Sequence, residues 1–426
     1  MSARQPALGI IADDVTGGLL VASYFEEAGL TCPVALRPDA VDQSGDISIL
    51  ATRSRLAEPE EARATITCGI DALLAAGCEA IAYKACASFD STEQGNIGQA
   101  AVLLADRLGQ EPLLVSAGFP EFRATVHQGY LFYQGRLVTE SIKRLDPVTP
   151  MPDPDLRRFL GQQAGETFGL VSHLDLIAGP ETAQTALERE VAAGHRFILL
   201  DSSDDADILA SARLARGARA IVASDPLIIA WGRDRAAGRM STPQQPPAFT
   251  GPGAVIVGSV GPVAEDQLAA FGASHPVYAM DVLSTGPEEA EIERALDWAA
   301  PRIGDTPFSI TTLAPRDRIE AAQSALGQLG AARKAERLLS AVARGLHDRG
   351  IRRLVVAGGE TSGATVSALG LDRLRAYPRG PLGGGFCLGE GAGAPISLFL
   401  KSGKLGSRDV LLQALDHMQS PERTKT

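Results

Sequence analysis

Short, solidly apolar runs alternate with longer amphipathic stretches through most of this chain, and that rhythm constrains the fold more than any other feature. Apolar runs at 8–12, 47–51, 80–84 and 113–116 are each followed by helical spacing or a polar loop, with helices expected at 18–28, 59–76 and 97–108. The pattern continues with strands at 169–172, 197–200 and 220–223 and helices near 181–193 and 208–215. Strands that are apolar on both faces belong in parallel sheets covered by helices on each side. The expected class is α/β.

At 426 residues, the chain exceeds what one hydrophobic core usually covers, so two domains are expected. The break falls in a polar, Pro-rich stretch containing Ser241-Thr242-Pro243-Gln244-Gln245-Pro246-Pro247. This gives an N-terminal domain over 1–240, a linker over 241–253 and a C-terminal domain over 254–420. The second domain restarts with a strand near 254–257, followed by a helix-rich stretch over 290–348. Residues 420–426 read as a disordered tail. No repeat of fixed period and no extended low-complexity tract is present.

The charge balance, 40 Lys+Arg against 51 Asp+Glu for a net −11, argues against nucleic acid or an anionic membrane as partner. No stretch approaches the roughly 20 apolar residues of a membrane span, and 8–12 is too short for a signal peptide. Five scattered cysteines without a CxxC pair fit free thiols in a cytoplasmic setting. The six histidines form neither HxH nor HExxH, which disfavours zinc. Nothing in the residues specifies a homodimer, although one is compatible with them.

Chemistry concentrates at strand ends. Asp13-Asp14 close the first strand and precede Thr16-Gly17-Gly18, at the end of the sheet where open α/β folds bind ligands. An aspartate there can orient or deprotonate a hydroxyl or hold Mg²⁺; alternatively Asp14 or Thr16 caps the helix. Lys84 ends another strand and opens a loop carrying Asp90, Ser91 and Asn96, a mixture suited to gripping a polyhydroxy acid. Arg53 is expected to join Lys84 on the acid's carboxylate.

In the second half, an apolar run at 354–357 empties into Gly358-Gly359-Glu360-Thr361-Ser362-Gly363, with a helix expected over 364–369. Paired glycines at a helix N-terminus offer backbone N–H groups and a favourable dipole to an anion. Thr361 and Ser362 are candidates to cap that helix or to bind the ligand. Gly258-Ser259-Val260-Gly261 and Lys401-Ser402-Gly403-Lys404 repeat the strand–glycine grammar. Three such turns within about 150 residues point to one convergent nucleotide site, without a Walker A loop.

These motifs resemble the four-carbon acid-sugar kinase family, most closely its 3-oxo-tetronate kinase branch. The resemblance rests on Ile11-Ala12-Asp13-Asp14-Val15-Thr16-Gly17, Thr52-Arg53-Ser54, Tyr83-Lys84 and Phe89-Asp90-Ser91-Thr92. It continues through Gly95-Asn96-Ile97-Gly98, Glu140-Ser141, Pro147-Val148-Thr149-Pro150-Met151, Gly258-Ser259, the Gly358 motif and Lys401-Ser402-Gly403. It implies two domains, each a largely parallel sheet flanked by helices, with an interdomain active-site cleft. The implied reaction is ATP- and Mg²⁺-dependent phosphorylation of a small acid such as a 3-oxo-tetronate, threonate or erythronate.

By motif, Asp13, Asp14 and Asp90 are the candidate catalytic residues. Arg53, Lys84, Ser91, Asn96 and Arg123 are the candidate acid-binding residues. Ser259, Gly358, Gly359, Glu360, Thr361, Ser362 and Gly403 are the candidate nucleotide contacts. Ala124 stands where relatives carry arginine, which is why Arg123 enters as its substitute. Departures of this kind motivate one alternative, a nucleotide-binding protein of the same fold that has lost catalysis. A nicotinamide-dependent oxidoreductase is disfavoured, because the string at Gly389-Glu390-Gly391 is followed by a strand rather than a helix.

Overall fold

The computed structural model describes residues 5–146, 149–304 and 306–420. The motif residues Pro147 and Val148, and all but the first residue of the expected tail, lie outside the described residues. The chain divides into two compact units. One runs through Val21 and then from Ala28 to Ser241; the other holds Ala22–Glu27 and the chain from Thr242 onward.

In the first unit, eight strands form one parallel array. Their order is Pro33–Ala35, Ile47–Ala51, Leu8–Ala12, Ile81–Lys84, Ala220–Ala223, Leu113–Ser116, Phe197–Leu200 and Phe168–Val171. Every residue of Leu8–Ala12, Ile47–Ala51 and Ile81–Lys84 is buried, as strands covered on both faces must be. Ile66, Ile70 and Leu73 of the helix Pro59–Ala75 pack with Ile97, Ala101 and Leu104 of the helix Asn96–Leu108 on one face of the array. That three-to-four-residue spacing is the apolar stripe of a surface helix.

Local chemistry sets the helix ends. Asp155 and Asp204 accept N–H bonds at two N-termini, and Gly109 and Gly165 close two helices in the left-handed region. The first strand lies between two others whose connections leave it in opposite directions. Asp13 and Asp14 therefore stand at a switch point of the sheet, beyond its carboxyl edge.

The second unit carries five parallel strands, Val277–Ala279, Phe308–Thr311, Gly253–Val257, Arg353–Ala357 and Ile396–Lys401. Two antiparallel strands, Phe386–Gly391 and Leu371–Ala376, extend that array. Phe308–Thr311 interrupts the stretch expected to be helix-rich over 290–348. Its four residues, all buried, are too short to show a period between the helices Glu288–Ala299 and Arg316–Leu326. A small antiparallel sheet, Ala124–His127, Tyr130–Tyr133 and Arg136–Leu137, adds to the first unit. Among the described residues no helix is long and apolar enough to cross a membrane, and all five cysteines are free thiols.

Candidate active site

At the carboxyl edge of the first unit's sheet, five charged side chains meet with almost no access to water. Asp13 and Asp14 leave the strand Leu8–Ala12, Lys84 ends its neighbour, and Asp225 opens the helix Asp225–Arg235 after the next strand. Arg55 reaches in from the turn after Ile47–Ala51. It donates from Nε and Nη2 to both oxygens of Asp13 at 2.9 Å and from Nη2 to Asp14 Oδ1 at 2.8 Å.

Lys84 Nζ stands 3.8 Å from Asp14 and 3.7 Å from Asp225. Gly17 makes this possible, since a Cβ there would overlap the Lys84 ammonium and the Asp14 carboxylate. Asp225 Oδ1 and Asn96 Oδ1 are buried acceptors with no donor among the described residues.

The three aspartates differ in their surroundings. Burial opposes ionisation at Asp14, but Arg55, Lys84, the Thr16 hydroxyl at 2.5 Å and the Gly17 N–H overcome it and hold the carboxyl at about 2. Asp14 thus also caps its helix. At Asp13, burial, helped by the neighbouring Asp14 charge, outweighs Arg55 and Lys84 and lifts the carboxyl above its ordinary range. Burial likewise lifts Asp225 against the pull of Lys84.

Asp90 forms a separate pair. Lys143 Nζ donates to both its oxygens at 2.6 and 2.5 Å, and Ser88 donates at 2.8 Å. Burial again opposes ionisation, and Lys143 wins, leaving Asp90 at about 2. The loop that carries it passes through Phe89, fully buried at φ 45°, a strained conformation for a bulky residue. Gln163 braces the same loop, donating to Ser91 Oγ and Thr92 O while accepting from Gly98 N–H.

Arg55 meets the aspartates, whereas Arg53, expected to join Lys84 on the acid's carboxylate, is exposed, because successive residues of this turn face different ways. Lys84, expected on the acid's carboxylate, is flanked by the carboxylates of Asp14 and Asp225. The Asn96 amide donates to the Ser54 carbonyl, tying the helix start to the Arg55 turn. Arg123 is exposed in the left-handed region at the entrance to the small sheet and, among the described residues, makes no ion pair with the cluster. Asp225 obeys the same strand-end rule as Asp13 and could have been found by it. Lys143 sits in a short 3-10 segment two residues past the quoted Glu140-Ser141 and carries no periodic signal.

In the second unit the three glycine turns meet. The Gly258 and Ser259 N–H groups both donate to Ala357 O, and Gly358 N–H donates to Lys401 O at 2.9 Å. A Cβ at Gly258 would overlap Thr361 Oγ1, and one at Gly403 would overlap the Ser259 side chain. Only glycine lets these backbones approach so closely.

The helix begins at Gly359 rather than at 364, so Glu360, Thr361 and Ser362 lie in its first turn. Its N-cap is Gly358 at φ 133°, with no side-chain cap, so Thr361 and Ser362 do not serve as caps. Ser362 Oγ is fully buried and has no partner among the described residues. Backbone N–H groups gathered at a helix N-terminus suit an anion, and a phosphate chain fits this cradle.

Comparison with known proteins matches the sugar-binding N-terminal domain model over residues 8–229 and the nucleotide-binding C-terminal domain model over 254–411. The 3-oxo-tetronate kinase of Burkholderia multivorans is 32% identical, covering 97% of this chain and 98% of its own. That of Pseudomonas fluorescens is 33% identical over 98% of each.

The chain belongs to the four-carbon acid-sugar kinase family.

It is a kinase, and its use of ATP follows from its relatives and from the nucleotide-binding domain. The fold agrees. A Salmonella typhimurium LT2 protein superposes with a TM-score of 0.81 at 29% identity, over 96% of this kinase and 98% of that chain. Haemophilus influenzae protein HI1011 gives 0.74 at 26%, over 96% and 100%.

Proposed function

We propose that this kinase phosphorylates a hydroxyl of a four-carbon sugar acid of the 3-oxo-tetronate, threonate or erythronate class, with Asp13 as the general base. The observation that carries the assignment of the base is the contrast among the three motif aspartates, Asp13, Asp14 and Asp90; Asp225, which burial also lifts, lies outside the matched motifs. Asp14 and Asp90 are each held at about 2 by cations and hydroxyl donors, whereas burial lifts Asp13. A base works best with a pKa near the working pH, so Asp13 accepts the proton of the attacking hydroxyl.

Arg55 orients Asp13, and Asp14 and Lys84 fix the surrounding charge. Ser91, Asn96, Arg53 and Arg123 remain the candidates to contact the acid, with Arg53 and Arg123 as exposed guanidinium groups for its carboxylate. Ser259, Gly358, Gly359, Glu360, Thr361, Ser362 and Gly403 hold the nucleotide, whose γ-phosphate is the group transferred. Among the described residues no three acidic, histidine or cysteine side chains are grouped to hold a metal. Mg²⁺ suits this kinase as the counter-ion of the triphosphate, which needs no dedicated protein cage.

The test is ATP consumption against a panel of four-carbon acids, with Asp13→Asn alongside. Turnover of at least one acid is expected, falling about 10²–10⁴-fold in the variant while nucleotide binding persists. Folded protein that turns over none of the panel defeats the substrate assignment; unchanged turnover by Asp13→Asn defeats the base.

A further inference from the structure

Beneath the glycine cradle lies a buried ammonium with no counter-ion among the described residues. Lys401 ends the strand Ile396–Lys401, opposite Ala357, and its own carbonyl accepts the Gly358 N–H. Its side chain is 5% exposed. Nζ donates to a neutral group, Gln267 Oε1, at 3.0 Å, and among the described residues no carboxylate pairs with it. Gln267 in turn donates from Nε2 to the carbonyls of Leu405, Gly406 and Ser407 at 3.0–3.1 Å. Lysine and glutamine therefore underpin the turn that brings Gly403 against Ser259.

A hydrophobic side chain would fill this strand end without the cost of desolvating a charge, which a neutral amide does not repay. An anion bound in the turn above would repay it.

We propose that Lys401 is a positioning residue for the nucleotide, supplying through Gln267 and the 402–407 turn the positive charge that the triphosphate requires. The proposal rests on the kinase reading above and deepens it. Burial holds the Lys401 ammonium down to about 8, which makes its charge testable.

The other charged or titratable groups on that side of the sheet do not imitate it. Asp266 and Arg408 pair with each other at 3.3 Å, and Arg353 is bonded to the Gly251 and Leu415 carbonyls. Burial keeps the His417 imidazole below its ordinary range and the Tyr377 phenol above its own. Lys404, in the turn itself, is exposed.

The experiment is calorimetric binding of the Mg²⁺ complex of a β,γ-imido ATP analogue between about pH 7 and about pH 9.5, with Lys401→Met and Lys401→Arg. Wild type should bind progressively more weakly above about pH 8. Lys401→Met should bind about tenfold more weakly at pH 7 and show no such decline, with little change in unliganded melting. Lys401→Arg should hold wild-type affinity within about threefold and also lose the decline, since guanidinium keeps its charge there.

Equal binding by Lys401→Met, or a decline that persists in Lys401→Arg, overturns the role of Lys401 and leaves the kinase reading standing. Absence of analogue binding by wild type overturns both. Should Lys401→Met fail to fold, the pH behaviour of Lys401→Arg decides alone.

Discussion

Replacing Arg55 by Met separates the arginine that the fold uses from its neighbour Arg53. Arg55 is the guanidinium for two carboxylates whose side chains are 3% and 10% exposed. Removing one partner of a buried ion pair typically costs about 3–5 kcal/mol, because the remaining charge loses both water and its counter-ion. At about 2–4 °C per kcal/mol for a unit of this size, the melting temperature should fall by roughly 6–20 °C at pH 7.

Acid should narrow the gap. In the variant, Asp13 and Asp14 are buried with less compensation, so their folded pKa values rise above the unfolded 3.8. The folded variant then binds more protons than its unfolded chain between 3.8 and the raised values. Its stability therefore falls as pH rises through that window and recovers as pH drops. Urea melts at about pH 7 and about pH 4.5 for wild type, Arg55→Met and Arg53→Met test this. Arg53→Met, an exposed substitution, should stay within about 0.5 kcal/mol at both. If the two variants lose equal stability, or if the Arg55→Met deficit does not shrink in acid, the charge-cluster reasoning is refuted.

Two further outcomes are expected. Gly403→Ala should raise the KM for ATP about tenfold or more with little change in that for the acid, since its Cβ falls on the Ser259 side chain; pairing it with Ser259→Gly in a double-mutant cycle should recover about 1–3 kcal/mol of coupling, and additivity would show that the turns do not touch. Asp90, at about 2 against an ordinary 3.8, contributes on the order of 2–3 kcal/mol that is present above pH 4 and lost as pH falls through about 2, so acid titration of Asp90→Asn should lack that portion of the wild-type decline.

Much of this architecture was legible from pattern alone. Strands such as Leu8–Ala12 and Arg353–Ala357 are apolar at nearly every position because both faces are covered, and Asp13 and Asp14 announce themselves by following one. The rule that placed them also applies to Asp225. Arg55 was not legible, because which of two arginines in one turn points inward depends on backbone angles that spacing does not encode. Lys143 meets Asp90 across 53 residues of chain, a contact without local trace. The start of the helix at Gly359 was missed because glycines read as loop, although here close approach of Thr361 to Gly258 requires them.

The glycine cradle draws on segments near 258, 358 and 403 and closes only when the last of these is in place. During synthesis, then, the three turns cannot meet until the segment near 403 has left the ribosome. A chain cut short of residue 402 would lack the turn that packs against Ser259, and on the proposed reading its affinity for ATP should fall.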